Sequence, residues 1–109
     1  MKLVRFQREG REGWAVQDPA SGAWHGATEG ASAHPGSLDA AIRQGRPALD
    51  AAARAMRAQP VVDLAGVDFL PPVAEPRKII CVGLNYRDHS AESGFEQPAY
   101  PTLFSRFNT

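Results

Sequence analysis

Apolar and polar residues alternate in short runs over the first 26 positions. Residues 2–7 (KLVRFQ) place Leu3 and Arg5 on one side of an extended chain and Val4 and Phe6 on the other, a strand pattern with an imperfectly polar outer face. REGREG then supplies a turn, residues 14–17 (WAVQ) a second strand, residues 18–22 (DPASG) a Pro/Gly turn and residues 23–26 (AWHG) a third strand. The pattern predicts an antiparallel meander over residues 1–26.

After a Gly/Ser/Ala-rich connector the period changes from two to that of a helix. Ser37 is placed to cap a short helix with Leu38, Ala41 and Ile42 at i, i+3, i+4, and Gly45 to stop it. A second helix follows, with Pro47 in its first turn, an apolar stripe of Leu49, Ala52, Ala53 and Met56, an Asp50–Arg54 pair at i,i+4, and Pro60 as its terminator. Arg43, Arg46, Arg54 and Arg57, interleaved with Asp39 and Asp50, read as a solvated face rather than an anion site. Short apolar runs from Val61 lead into Pro71, Pro72 and Pro76, a stiff, extended composition that commonly joins domains. The boundary is placed near residue 75, giving domains 1–75 and 76–109.

Beyond it, residues 78–82 read as a buried strand that turns at Gly83. Asn85 suits an N-cap, Asp88 can bond back to it, and Gly94 suits a stop, so a short helix is predicted near residues 86–93. Asn85, His89 and Glu92 then fall at i, i+4, i+7 on one face. A carboxylate beside an imidazole fixes its tautomer and raises its basicity, which suits a general base near neutral pH. Spacing alone favours the plainer reading, a surface His–Glu contact.

Composition narrows the function classes. Twelve Lys+Arg balance twelve Asp+Glu with no long like-charge block, which argues against nucleic acid or an anionic membrane as partner. Cys81, the only cysteine, excludes an intrachain disulfide and, inside an apolar run, is expected as an inert buried thiol in a reducing, cytoplasmic setting. The opening residues lack the apolar core of a secretory leader, and no apolar run is long enough to span a membrane. His25 and His34 are expected at the surface, Phe104 and Phe107 in the core.

The run KIICVGLNYRDHSAESG followed by PAYPTLFSRFNT resembles the opening of the catalytic domain in the fumarylacetoacetate hydrolase family: apolar strand, Gly-x-Asn-Tyr-x-x-His-x-x-Glu, then a Pro-containing loop into Leu-Phe-x-(Lys/Arg). The likeness covers roughly residues 76–109. Residues 1–75 resemble the small domain that precedes it in some bacterial members. The implied fold class is α+β: an antiparallel meander with two short helices, followed by the first strands and lid helix of a truncated mixed β-roll.

The resemblance implies metal-dependent chemistry on small oxo-acids: acylpyruvate C–C hydrolysis, oxaloacetate decarboxylation, or isomerisation of the 2-hydroxyhepta-2,4-diene-1,7-dioate type, as in the catabolism of aromatic compounds, by a homodimer. Mg2+ or Mn2+ would chelate the substrate's keto and carboxylate oxygens and stabilise the enolate. By motif position His89 is the general base and Glu92 its partner, on a lid that orders with substrate. Arg106, where many relatives have lysine, is a candidate for a substrate carboxylate, an exposed strand charge being as economical. Asn85 and Tyr86 are assigned to capping and packing. The family's metal ligands are an acidic Glu-x-Glu pair and an Asp, all further along than position 109. The chain is therefore expected to be the N-terminal portion of a longer enzyme, without metal ligands of its own and inactive alone. The alternative is a self-sufficient, non-catalytic binding or oligomerisation module.

Overall fold

The computed structural model describes residues 1–83 and 100–107. They form an α+β arrangement of antiparallel sheets and two helices, in two compact units, Met1–Ala74 and Glu75–Thr109. The helix predicted over residues 86–93, with Asn85, Asp88 and Gly94, lies outside the described residues.

In the first unit, β1 (Leu3–Arg8), β2 (Arg11–Gln17) and β3 (Trp24–Thr28) are the predicted meander, with β2 beginning three residues earlier and β3 ending two later than the pattern indicated. The β1–β2 turn has two residues, Glu9 and Gly10, both at positive φ (51° and 76°). That geometry matches the right-handed twist of the flanking strands, and glycine enters it without strain. The turn sets the register Arg8↔Arg11 and, from it, Arg5↔Trp14 and Leu3↔Val16.

Helix α1 (Leu38–Arg43) starts where Ser37 Oγ accepts the Ala40 amide N–H at 3.2 Å, the expected cap. Gly45, at φ 94°, ends α1 and directly precedes α2 (Arg46–Arg57), which has Pro47 in its first turn. The predicted stripe is the packed one. Ala53 and Met56 are buried with Trp14, Val16 and Leu38, and Leu49, Ala52, Leu3 and Ala27 pack around them. Each large side chain so removed from water contributes roughly 1.5–3 kcal/mol. One detail differs: Asp50 pairs with Arg46, whose Nε lies 2.9 Å from both carboxylate oxygens, rather than with Arg54. Cα–Cβ bonds lean toward a helix's N-terminus, which carries the short Asp50 side chain back over Arg46.

The sheet's second face is partly covered, with Phe69 left exposed on it. Register puts Phe6, Gly13, Ala15 and Gly26 there, and all four are buried. A Cβ on Gly13 would meet Phe6 Cζ at 2.9 Å, so the ring lies over that glycine. Residues 60–62 cover the outer edge of β3, through Gly26 N–H to the Pro60 carbonyl (3.3 Å) and Val62 N–H to the Trp24 carbonyl (2.8 Å). β4 (Asp68–Leu70) pairs with the opposite edge of the sheet, giving the order β3-β2-β1-β4. The connection crosses the Phe6 face, where the Arg8 guanidinium donates to the Asp63 carbonyl and stands 6.0 Å from the Phe6 ring centroid.

The second unit contains a hairpin of β5 (Ile79–Gly83) and β6 (Thr102–Arg106). The strand predicted at residues 78–82 is present, but it is not buried: Ile80 is 67% exposed and Leu103, beside it on the same face, 62%. Phe104 and Phe107, expected in the core, are exposed, and Cys81 is a half-buried free thiol rather than a buried one. Among the described residues each of these strands has one partner, and two strands alone do not cover their own faces.

Candidate functional site

β5 carries the apolar lead-in to the polar motif. Its pairing runs Ile79↔Arg106, Ile80↔Ser105, Cys81↔Phe104, Val82↔Leu103 and Gly83↔Thr102. The chain therefore leaves the sheet at Gly83 and returns at Thr102, directly across the ladder. The stretch that contains His89 and Glu92 is anchored at both ends to one rung. His89, Glu92, Asn85 and Tyr86 themselves lie outside the described residues.

Arg106 is described, and it is exposed on β6. It sits opposite Ile79, four residues from the Gly83–Thr102 rung. At a rise of ~3.3 Å per residue this is roughly 13 Å along the strand. Its side shares a sheet face with Phe104, Cys81 and Ile79. The guanidinium is thus at the far end of the hairpin from the base of the His89 stretch.

Polar side chains of the first unit have structural duties. His25, expected at the surface, is half-buried, with Nδ1 2.8 Å from the Gln59 carbonyl. His34 is half-buried as well: Nδ1 accepts the Gly36 amide N–H at 3.1 Å, which places the proton of a neutral ring on Nε2. Nε2 is buried and has no hydrogen-bond partner among the described residues. Trp14 Nε1 donates to the Gly36 carbonyl (3.0 Å) and Gln59 Nε2 to the Ala33 carbonyl (3.1 Å), so the connector carrying His34 is pinned at two points. Alternating sequence cannot reveal the His25, Trp14 and Gln59 bonds, because each joins residues far apart in the chain.

Asp18 organises the turn between β2 and β3. Its carboxylate accepts Ser21 Oγ–H at 2.6 Å and the Ala20 amide N–H at 3.1 Å. These bonds, the Ser21 hydroxyl first, favour the ionised form and hold its pKa below the ordinary aspartate value. An open groove of about 440 Å³ lies over Phe6, Arg8, Thr28, Gln59 and Val61. Arg8, its cation, is already engaged with the Asp63 carbonyl, which makes the groove a packing seam rather than an anion site.

Among the described residues no three His, Cys, Asp or Glu side chains come together to hold a metal ion. Among them, too, no helix is long and apolar enough to cross a membrane.

Comparison with known proteins adds a second line of observation. The chain is 37% identical over 117 aligned residues to rat (Rattus norvegicus) "Oxaloacetate tautomerase Fahd2a, mitochondrial", an alignment covering all of this chain and 36% of that protein. It is 32% identical over 116 residues to "Oxaloacetate tautomerase fahd2, mitochondrial" of Xenopus laevis, covering 98% of this chain and 34% of the relative. "Fumarylacetoacetate hydrolase domain-containing protein 2" of Pongo abelii is 40% identical over 74 residues, 67% of this chain and 24% of the relative. The chain spans about a third of the length of the relatives that it matches end to end. No family model matches it.

Proposed function

Since the chain belongs to the fumarylacetoacetate hydrolase family, we propose that the intact protein is an enzyme acting on small oxo-acids, with enol–keto interconversion of oxaloacetate as its reaction. The observation that carries this reading is the alignment of the whole chain with a relative named for that activity. Oxaloacetate decarboxylation and acylpyruvate hydrolysis pass through the same kind of enolate, and the related isomerisation uses the same proton transfers, so all belong to one substrate class.

In the proposed chemistry His89 exchanges the proton that differs between the two tautomers. For ketonisation the enol O–H gives up its proton as C3 gains one. Glu92 holds the imidazole in the tautomer that presents a free nitrogen. Arg106 is retained as a candidate partner for a substrate carboxylate. Mg2+ or Mn2+ is part of the proposal, and when bound it supplies Lewis-acid stabilisation of enolate charge. The described residues do not form its site, and no step is drawn through it.

The β-roll architecture, the homodimer and a cytoplasmic location belong to the same reading, with neither nucleic acid nor membrane as a partner. Exposed Ile80, Val82 and Leu103 support the first two, because an apolar strand pair of this kind is stable only when covered.

The test is a spectrophotometric assay of enol-oxaloacetate decay with the full-length enzyme. His89→Ala should lower kcat by a factor of about 10²–10⁴, with a smaller loss for Glu92→Gln. Residues 1–109 alone should give no turnover. Full-length activity that survives both a chelator and His89→Ala would overturn the reading.

A further inference from the structure

His34 lies in the connector between β3 and α1, and its half-buried imidazole takes no part in the proposed chemistry. Nδ1 accepts the Gly36 amide N–H at 3.1 Å. Pro35 has no N–H, so Gly36 supplies the first backbone donor after the histidine. Nε2 carries the ring proton, and it is buried without a hydrogen-bond partner among the described residues. Buried polar groups nearly always find a partner, so one left without calls for an explanation.

The backbone on either side is held in a left-handed conformation, with Ala33 at φ 60° and Gly36 at φ 88°. A residue with a Cβ, such as Ala33, adopts it at a cost. The Ala33 carbonyl accepts from Gln59 Nε2 and the Gly36 carbonyl from Trp14 Nε1, so His34 stands between two anchored residues. The indole belongs to the core, Trp14 being 2% exposed.

Only one protonation state of the ring fits this arrangement. An imidazolium donates from both nitrogens. A proton on Nδ1 would meet the Gly36 N–H donor to donor, and the charge would extend to a buried Nε2 with no acceptor. Neighbouring charges do not offset this. On β3, His25 donates to the Gln59 carbonyl; in the first turn of α1, Asp39 accepts the Ala74 N–H; Glu29, at the start of the connector, and Arg57, in the last turn of α2, are exposed. Among the described residues none of them forms an ion pair or hydrogen bond with the His34 ring.

We propose that His34 is a proton-operated latch on the 29–36 connector: the neutral ring holds Gly36 where its carbonyl accepts the Trp14 indole N–H, and a proton taken up at Nδ1 turns the ring out to water and frees both. The closed form binds one proton fewer than the open form, so falling pH favours opening, by roughly tenfold per pH unit below the range in which an ordinary imidazole titrates. The proposal stands independently of the enzymatic reading.

NMR of the full chain between pH 7 and pH 5 tests it. Relative to its unfolded-chain rate at each pH, the Trp14 Nε1–H should lose protection from exchange by at least about tenfold, while the Val16 amide in the core keeps its own. The Gly36 amide signal should move with the same midpoint as the His34 ring. His34→Asn, whose side-chain carbonyl can take the Gly36 N–H but no proton, should hold Trp14 protection constant across the range. Trp14 Nε1–H protection unchanged in the wild type overturns the latch, as does a fall that persists in His34→Asn or one that Val16 shares. Should the variant fail to fold, the midpoints decide: a Gly36 midpoint that departs from that of the His34 ring overturns the latch equally.

Discussion

A single carboxylate in a surface turn illustrates how much local chemistry a side chain can direct. Asp18 receives Ser21 Oγ–H and the Ala20 N–H, and its pKa is lowered. The depressed value means that the turn is stabilised above the unfolded-state pKa and loses that contribution as pH falls through the folded one. An NMR titration of the Asp18 carboxyl carbon should give a midpoint below the ordinary aspartate value, and Ser21→Ala should move it upward. No upward movement would show that the hydroxyl is not the main cause. At this scale the sequence was partly informative. DPASG announced a turn and Ser37 announced a cap, because both act within three residues of themselves. The partners of His25 Nδ1, Trp14 Nε1 and Gln59 Nε2 were invisible, since each lies 22 or more positions away.

At the scale of elements the sheet's closeness is set by what its strands lack. A Cβ on Gly26 would stand 2.6 Å from Ala15 Cβ and 2.7 Å from the Trp14 carbonyl oxygen, contacts that only backbone movement can relieve. Gly26→Ala should therefore cost about 1–3 kcal/mol, measured as a lower urea midpoint for the first unit. A midpoint unchanged from wild type would mean that β2 and β3 separate more readily than the packing implies. The meander and the α2 stripe were legible because periods of 2 and 3.6 are written into neighbouring residues. The pairing of β4 with β1 was not, because a three-residue strand has too few alternations to reveal its partner. The apolar character of residues 79–82 suggested burial. The hairpin shows instead that a sequence can encode a strand's need for cover without containing all of that cover within the described residues.

At the scale of the whole chain the two units differ in kind. The first buries a core between one face of its sheet and its own helices, whereas the hairpin of the second presents Ile80, Val82 and Leu103 to solvent. Family membership was legible from residues 78–94 and 98–109, a dense polar motif following an apolar strand. The geometry of His89 with Glu92 is a separate question, because i, i+3 spacing acquires catalytic meaning only from what faces it. The rung at Gly83↔Thr102 has a practical consequence for answering that question. With its two ends side by side, the whole 84–101 stretch is a replaceable cassette, since closing such a loop depends only weakly on its length, by about 0.6 kcal/mol per doubling. Exchanging it for an Asn-Gly turn, a favoured two-residue hairpin connection, should leave the cross-strand Cys81–Phe104 and Val82–Leu103 contacts detectable by NMR. Loss of those contacts would show that the ladder depends on the cassette. Their survival would supply a graft site at which oxo-acid motifs from other relatives can be exchanged on a constant frame.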